Sequence, residues 1–229
     1  MEKLKNALKN NLLCITIYKT ASARCGYCFH ERTRHMKREE VYRIFSNIPE
    51  IKTDRLTLRR LKVSDSWDMF EYAKNPNVTE FLTWRAHPNI EYTREYLQFV
   101  GTHYTIGDFF DWAVVLDEED KMIGTCGFTR IDYTNNCAEI GYVINPAYRG
   151  REIADEAVRA IMRFGFERLK LNRIEAKFME HNIASKRVME KTGMTFEGFH
   201  RKAMKIKGNY ETFGICSILR EEFFETDKD

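Results

Sequence analysis

Apolar and polar residues alternate along Leu56-Thr57-Leu58-Arg59-Arg60-Leu61, the period-two signature of a strand with one buried face. Ser64 and Asp65 stand where an N-cap belongs, ahead of a short helix over Trp67 to Ala73 that Asn75-Pro76-Asn77 ends. A second helix is expected from about Ile90 to Tyr104, with Tyr92, Tyr96, Phe99 and His103 near helical spacing. Strands follow in series. Phe110 to Leu116 pairs across the acidic turn Asp117 to Asp120 with Met122 to Phe128, and Asn135-Asn136 turns the chain into a further strand, Cys137 to Ile144. Such a meander is antiparallel and needs no crossover helices. A long helix then runs from about Gly150 to Leu169, with Ile153, Ala157, Ile161 and Phe164 on one core-facing stripe. The next strand, Arg173 to Phe178, makes a strand–helix–strand unit, which implies a right-handed parallel crossover. A shorter helix over Ile183 to Thr192 stops at Gly193 in the C′ position. Two last strands, Phe196 to Phe199 and Tyr210 to Leu219, complete the sheet.

The pattern before residue 51 is different. Leu12 to Tyr18 is a short apolar run after a lysine-bearing start, followed by Ala21-Ser22-Ala23, a faint imitation of a secretory signal that Lys19 interrupts. Cys25-Gly26-Tyr27-Cys28 with His30 and His35 offers thiolates and imidazoles to zinc, but one CxxC without a second knuckle is a weak signal, and no metal ligand set is assigned. Met36 to Phe45 starts a helix and Pro49 closes the segment. Residues 1–50 are therefore expected to be a basic extension with a short helix, Met36 being a candidate natural start, and residues 51–225 one domain. Composition adds little beyond limits. The 229 residues can bury a core, the +3 net charge does not argue for nucleic acid, and no apolar run approaches the roughly 20 residues of a membrane helix. Six scattered cysteines in a chain of this size read as reduced thiols in a cytoplasmic protein.

The richest stretch for chemistry is Glu139 to Ala154: a buried strand, a proline stop, a glycine turn, then the long helix. A turn of this kind leaves N–H groups pointing out of a helix N-terminus, where the dipole also favours negative charge, and so makes a seat for a diphosphate. The plain alternative is an ordinary strand-to-helix connection with a solvated charge cluster.

This segment resembles the acyl-CoA signature of the GNAT acetyltransferases, in which Arg/Gln-x-x-Gly-x-Gly/Ala carries the pyrophosphate of acetyl-CoA. Arg149-Gly150-Arg151-Glu152-Ile153-Ala154 fits the pattern except that Glu152 occupies the second glycine; its carboxylate must point outward, with Arg149 and Arg151 offsetting its charge. Asn182 to Gly198 is similar to the Asn-x-x-Ser…Glu-Lys-x-Gly-Phe…Glu-Gly run of RimJ/RimL-type enzymes, with Met194 in place of Phe. Thr53-Asp54-Arg55-Leu56-Thr57-Leu58-Arg59 resembles their first strand, and Asn75 to Val78 and Phe110 to Val114 fit the same template. Near the C-terminus Gly208 and Tyr210 match, while Thr212 and Cys216 depart, which marks Thr212 for altered acceptor selectivity. The resemblance implies an α+β fold in three layers, a mixed and mostly antiparallel sheet flanked by helices with one parallel, splayed strand pair.

It also implies roles. The amides of Arg149, Gly150, Arg151, Glu152, Ile153 and Ala154 hold the pyrophosphate of acetyl-CoA; a backbone N–H of Tyr142, Val143 or Ile144 polarises the thioester; Asn182 binds the pantetheine arm or orders a water; Ser185, also at the cofactor, protonates the thiolate. Read from the residues, Glu139 is the best-placed carboxylate to take the amine's proton, with an ion-pair role as the alternative, and Ser185 alternatively caps its helix. Trp84, Trp112 and Phe81 are candidates to line an acceptor groove. The expected activity is acetyl transfer from acetyl-CoA to a primary amine, foremost a protein N-terminus such as that of a ribosomal protein. A small amine (antibiotic or polyamine) as acceptor, or a non-catalytic CoA-binding module, stands as the alternative. No nucleic-acid or membrane partner is expected, and the protein is expected to be a monomer or homodimer.

Overall fold

A computed structural model describes residues 36–226; the apolar run at 12–18 and the Cys25/Cys28/His30/His35 group lie outside the described residues. Eight strands form one sheet in the order β1-β2-β3-β4-β5-β6-β8-β7. In chain order these are β1 (Ile51–Lys52), β2 (Leu56–Arg59), β3 (Asp111–Leu116), β4 (Lys121–Asp132), β5 (Cys137–Ile144), β6 (Arg173–Met179), β7 (Thr195–Ile206) and β8 (Asn209–Leu219). The helices are α1 (Arg38–Ser46), α2 (Ser66–Ala73), α3 (Pro76–Thr79), α4 (Ile90–Ile106), α5 (Ile153–Glu167), α6 (Ile183–Lys191) and α7 (Arg220–Thr226). Among the described residues no helix is long and apolar enough to cross a membrane.

Every neighbouring pair is antiparallel except β5 with β6, which run parallel. Their register covers only Cys137↔Arg173 to Ile140↔Ala176, so Gly141 to Ile144 continue without β6 as a partner. Side chains alternate between faces along a strand. The row Trp112–Cys126–Tyr142 faces α5, where Trp112 meets Phe164 edge-on at 5.2 Å. The neighbouring row Asp111–Gly127–Gly141 faces the opposite layer of α2 and α4, from which the Tyr104 hydroxyl donates to the Asp111 carbonyl at 2.6 Å. Ile153, Ala157, Ile161 and Phe164 are all buried, as their spacing predicts. On α4 the buried stripe is Thr93, Leu97, Val100 and Tyr104, displaced from the Tyr92–Phe99 edge, which is exposed.

Three local expectations are corrected. Asp65 does not cap α2 with its side chain. Its carboxylate turns back to the Arg59 guanidinium at 2.8 Å and the Lys62 N–H at 2.8 Å, since a buried carboxylate gains more from a charged partner than from one more amide. The strand that Phe199 seemed to end runs on to Ile206, because an edge strand exposed on both faces carries no alternation to read. It turns into β8 through Lys207 and Gly208, both at positive φ as a two-residue hairpin requires. Finally, α1 is no appendage. Val41 and Phe45 are buried in the main core, and the Phe45 ring contacts Phe110, Trp112 and Phe164 at 4.7, 5.3 and 6.0 Å. The indole N–H of Trp112 donates to the Pro49 carbonyl at 2.8 Å, which fixes the link between α1 and β1.

Truncating Phe45 to alanine is therefore expected to cost about 3–5 kcal/mol of domain stability. Urea unfolding of the two proteins would measure it, and a change below about 1 kcal/mol would mean that α1 contributes nothing to the core.

Candidate active site

Where β5 and β6 part, a cleft of about 560 Å³ opens, a size suited to a small-molecule or peptide-end ligand. Glu139, Tyr142, Val143, Asn182 and Ser185 all line it, so most of the sequence-derived candidates converge. The amide of Asn145 donates to the Ile123 carbonyl on β4, and strand alternation sends the Val143 amide the same way. The N–H groups of Tyr142 and Ile144 consequently face the side from which β6 has departed. Of the three amides expected to serve the thioester, Val143's is the one turned away.

Asn182 caps α6, its side-chain oxygen accepting from the Ser185 amide at 3.2 Å. Capping thus falls to Asn182 and leaves the Ser185 hydroxyl free for other work. That hydroxyl lies 2.9 Å from the Tyr142 hydroxyl, which also reaches the Ser185 carbonyl at 3.0 Å. Burial pushes the Tyr142 phenol upward, partly opposed by the serine contact, so it stays protonated and able to donate. Glu139 has both oxygens engaged: Lys177 holds one at 2.5 Å and the Thr129 hydroxyl donates to the other at 3.0 Å.

The glycine turn lies beyond this cleft. Gly150 has φ +78° and Glu152 φ +59°, both left-handed, so the position of the motif's second glycine keeps a glycine-like backbone despite its side chain. The Glu152 carboxylate points away, 68% exposed, and pairs with Lys191 at 2.9 Å. Lys191, and not the two arginines, compensates it. Arg151 instead lies over the Tyr148 ring with Glu118 and Glu119 at 3.7 and 3.8 Å. Arg149 is exposed, but its amide is spent on the Pro146 carbonyl at 3.2 Å, which removes it from the expected set of diphosphate donors. Ile153 and Ala154 open α5, whose first turn has no preceding helical carbonyls to accept its amides.

Two features escaped the sequence reading. Glu156, in the first turn of α5, accepts from the Thr53 hydroxyl at 2.5 Å and from the amide and guanidinium of Arg55 at 3.0 and 2.7 Å; Arg55 also donates to the Arg151 carbonyl at 2.9 Å. The Thr53-Asp54-Arg55 segment thereby clamps the turn in place, over a separation of about a hundred residues that no local pattern reveals. The second is Asp111, half-buried on the cleft wall, accepting from its neighbour's Trp112 amide at 3.1 Å and hydrogen-bonded to Thr125. It touches cleft solvent on one side only, and enclosure by protein elsewhere pushes its carboxyl up to about 7, against the hydrogen bonds from Thr125 and Trp112. Phe81 and Trp84 line the cleft as expected, whereas Trp112 is wholly buried in the core on the other face. Thr212 does not line the cleft; its hydroxyl accepts from the Lys202 amide at 3.2 Å. Among the described residues no group of three or more His, Cys, Asp or Glu side chains is placed to share a metal ion.

Residues 55–195 match the profile of the acetyltransferase (GNAT) domain. The chain belongs to this family. The GNAT chain is 33% identical over 171 residues to the uncharacterized N-acetyltransferase p20 of Bacillus licheniformis, covering 75% of this chain and 96% of that protein. A GNAT-family acetyltransferase crystal structure from Bacillus anthracis superposes with a TM-score of 0.68 at 29% identity, over 76% of this chain and 99% of that one. At 24% identity, over 78% of this chain and 95% of the relative, it also matches the ribosomal protein uS5-alanine N-acetyltransferase of Escherichia coli. The protein is an acyltransferase with the mixed, helix-flanked sheet of its family.

The raised Asp111 carboxyl has a consequence for stability. The folded protein keeps this proton up to about pH 7, while an unfolded aspartate releases it near 4. Its stabilising effect, complete below pH 4, is lost as pH rises to 7. Asp111→Asn is therefore expected to match the wild type in urea at pH 4.5 and to exceed it by about 3 kcal/mol at pH 8. Curves that stay parallel across that range would show an ordinary carboxyl.

Proposed function

We propose that this GNAT enzyme transfers the acetyl group of acetyl-CoA to the α-amine of a protein or peptide. The observation that carries the reading is the parting of β5 from β6 after Ile140↔Ala176, with the open first turn of α5 following on the same strand. In this reading the amides from Gly150 to Ala154 hold the diphosphate, favoured by the helix dipole and by two left-handed residues that turn successive N–H groups one way. The amide of Tyr142 or Ile144 polarises the thioester carbonyl, a donor already fixed in place where oxyanion charge develops. Asn182, its oxygen used as a cap, offers its NH₂ to the pantetheine arm. The Ser185 hydroxyl, with the Tyr142 phenol behind it, returns a proton to the leaving thiolate.

The preference for a protein or peptide acceptor rests on two supports. Relatives include an enzyme named as the ribosomal protein uS5-alanine N-acetyltransferase. The acceptor side of the cleft is walled by Trp84, Tyr92, Tyr96 and Phe109, and Asp111 apart it is poor in free carboxylates: Asp108 is bound by His103 at 2.7 Å and Glu139 by Lys177. A polycationic small amine would call for more uncompensated negative charge than this.

Calorimetry with acetyl-CoA, followed by thiol release on a peptide panel varied at the first residue, tests the reading. Micromolar binding and turnover on α-amines are expected. Absence of binding at hundreds of micromolar would exclude the transferase role, and turnover confined to small amines would transfer the assignment to that substrate class. Because a coenzyme thiol leaves readily, Ser185→Ala is expected to lower kcat about tenfold while leaving acetyl-CoA affinity unchanged. A fall in affinity matching the fall in kcat would make Ser185 a binding residue only.

A further inference from the structure

We propose that Asp111, and not Glu139, accepts the proton of the acceptor ammonium. This rests on the acetyltransferase reading above. Asp111, Gly127 and Gly141 occupy one row across three adjacent strands, on the face that bears the cleft. The Asp111 carboxylate leans along this row: its Oδ1 lies 2.7 Å from where a Cβ on Gly127 would stand. The same Cβ would stand closer still to the Phe110 carbonyl and the Asp111 Cα, so a side chain at position 127 would press on the β3 backbone as well as on the carboxylate. The next residue in the row, Gly141, is the first on β5 beyond the pairs made with β6. Adjacent strands are about 4.8 Å apart, so Asp111 on β3 stands roughly two strand spacings from Gly141, across a surface that the two glycines leave bare. An amine seated over the bare stretch between Gly127 and Gly141 lies within its reach through one water.

The competitor is closer in sequence but occupied. Glu139 has one oxygen on the Lys177 ammonium and the other on the Thr129 hydroxyl, so taking a proton there means breaking an ion pair. Asp111 has no cationic partner among the described residues. The groups facing it are the phenols of Tyr72 on α2 and of Tyr96 and Tyr104 on α4, with the Cys126 thiol nearby on the other face of β4, all of which burial keeps protonated. Further along the cleft wall stand Arg85 and His87 from the loop before α4, Asp108 from the loop after it, and the Glu139–Lys177 pair. Burial lowers His87, whose Nδ1 is engaged with the Thr93 hydroxyl at 2.8 Å, so it stays neutral and adds no competing positive charge. A carboxyl that titrates at about 7 is matched to taking a proton from an α-ammonium, which ionises near 8.

The steps balance. The ammonium gives one proton to the Asp111 carboxylate, which becomes neutral, and the freed nitrogen lone pair attacks the thioester carbonyl carbon. The C–N bond forms and the C–S bond breaks, its electron pair leaving on the thiolate. The second nitrogen proton, released as the amide forms, reaches the thiolate through the Ser185 and Tyr142 hydroxyls. Asp111 then passes its proton to cleft water, so each turnover yields the acetamide, free CoA thiol and one proton.

The test joins a direct titration to a rate profile. In protein labelled with [¹³C]aspartate, the carboxyl resonance missing from Asp111→Asn is expected to titrate near pH 7. With Ala-Gly-Tyr-Gly as acceptor, kcat/KM of the wild type is expected to rise through the same pH. Asp111→Asn keeps an oxygen for the Trp112 amide; it is expected to bind acetyl-CoA as before, to lose about 100-fold in kcat/KM at pH 7, and to have its rise moved up to the amine's own ionisation. Glu139→Gln is expected to retain the rise near 7. An Asp111 carboxylate ionised throughout pH 5–9 overturns the proposal whatever the acceptor, as does a limb that Glu139→Gln abolishes and Asp111→Asn keeps. A wild type that binds acetyl-CoA but spares Asp111 removes only this residue's role, whereas a wild type that binds no acetyl-CoA removes the transferase reading and this inference with it.

Discussion

Everything distinctive about the molecule depends on a short contact, the four residue pairs between β5 and β6. Had the ladder continued, the amides of Tyr142 and Ile144 would bond to β6, as parallel neighbours do, and no donor would remain for a ligand. Had it not formed at all, the sheet would divide into two halves held only by helices. Pairing at one end and separation at the other produces a rigid wedge. The rest of the fold holds that wedge open: Tyr142 reaches across the gap to Ser185 at the start of α6, so α6 is tied to β5 by side chains where the strands no longer touch. The buried face of α5 fixes the closed end through Phe164 and its aromatic neighbours.

Local grammar made most of this legible. The strand–turn–strand series, the stripe on α5 and the glycine stop after α6 each follow from periodicity and turn chemistry within about ten residues, and each is found where that grammar puts it. What escaped is what depends on distant partners. The edge strand β7 has charged, exposed side chains on both faces from His200 to Lys205, so its strand character comes from pairing with β8 and leaves no alternation behind. Trp112 offered itself as a groove residue by type, but strand parity sends it to the opposite face from its neighbour Asp111. Among site residues, those next to the glycine turn were identifiable from motif order. Asp111 was not, because what sets it apart is a missing side chain on Gly127 and an enclosing layer contributed by α2 and α4.

The glycine turn shows how a departure from a motif is absorbed. A residue with a Cβ at φ +59° costs on the order of 1 kcal/mol relative to glycine, and a carboxylate beside an anion seat costs more unless it is turned out. Glu152 avoids the second cost by pairing with Lys191, the last residue of α6, and the backbone strain is held by the Thr53–Arg55 clamp on Glu156 and Arg151. The substitution therefore changes the electrostatics of the rim while leaving the amides of the turn in place. Because the Glu152–Lys191 pair is largely exposed, salt weakens it, and ionic strength becomes a variable for any anion seated there.

The two carboxylates of the cleft differ for the same reason that acid and base roles separate in many enzymes: environment, not residue type, decides which of them holds a proton near neutrality. Glu139 lies on the wedge itself and is neutralised by Lys177 from the facing strand, an arrangement that braces β5 against β6 close to where their pairing ends. Freeing it for proton transfer would unmake a contact that helps define the gap. Asp111 lies two strands further back, contributes nothing to the wedge and has only neutral groups against it, so its charge can change without moving the site. A fold that must keep its strands parted while protons move is better served by a base set apart from the parting.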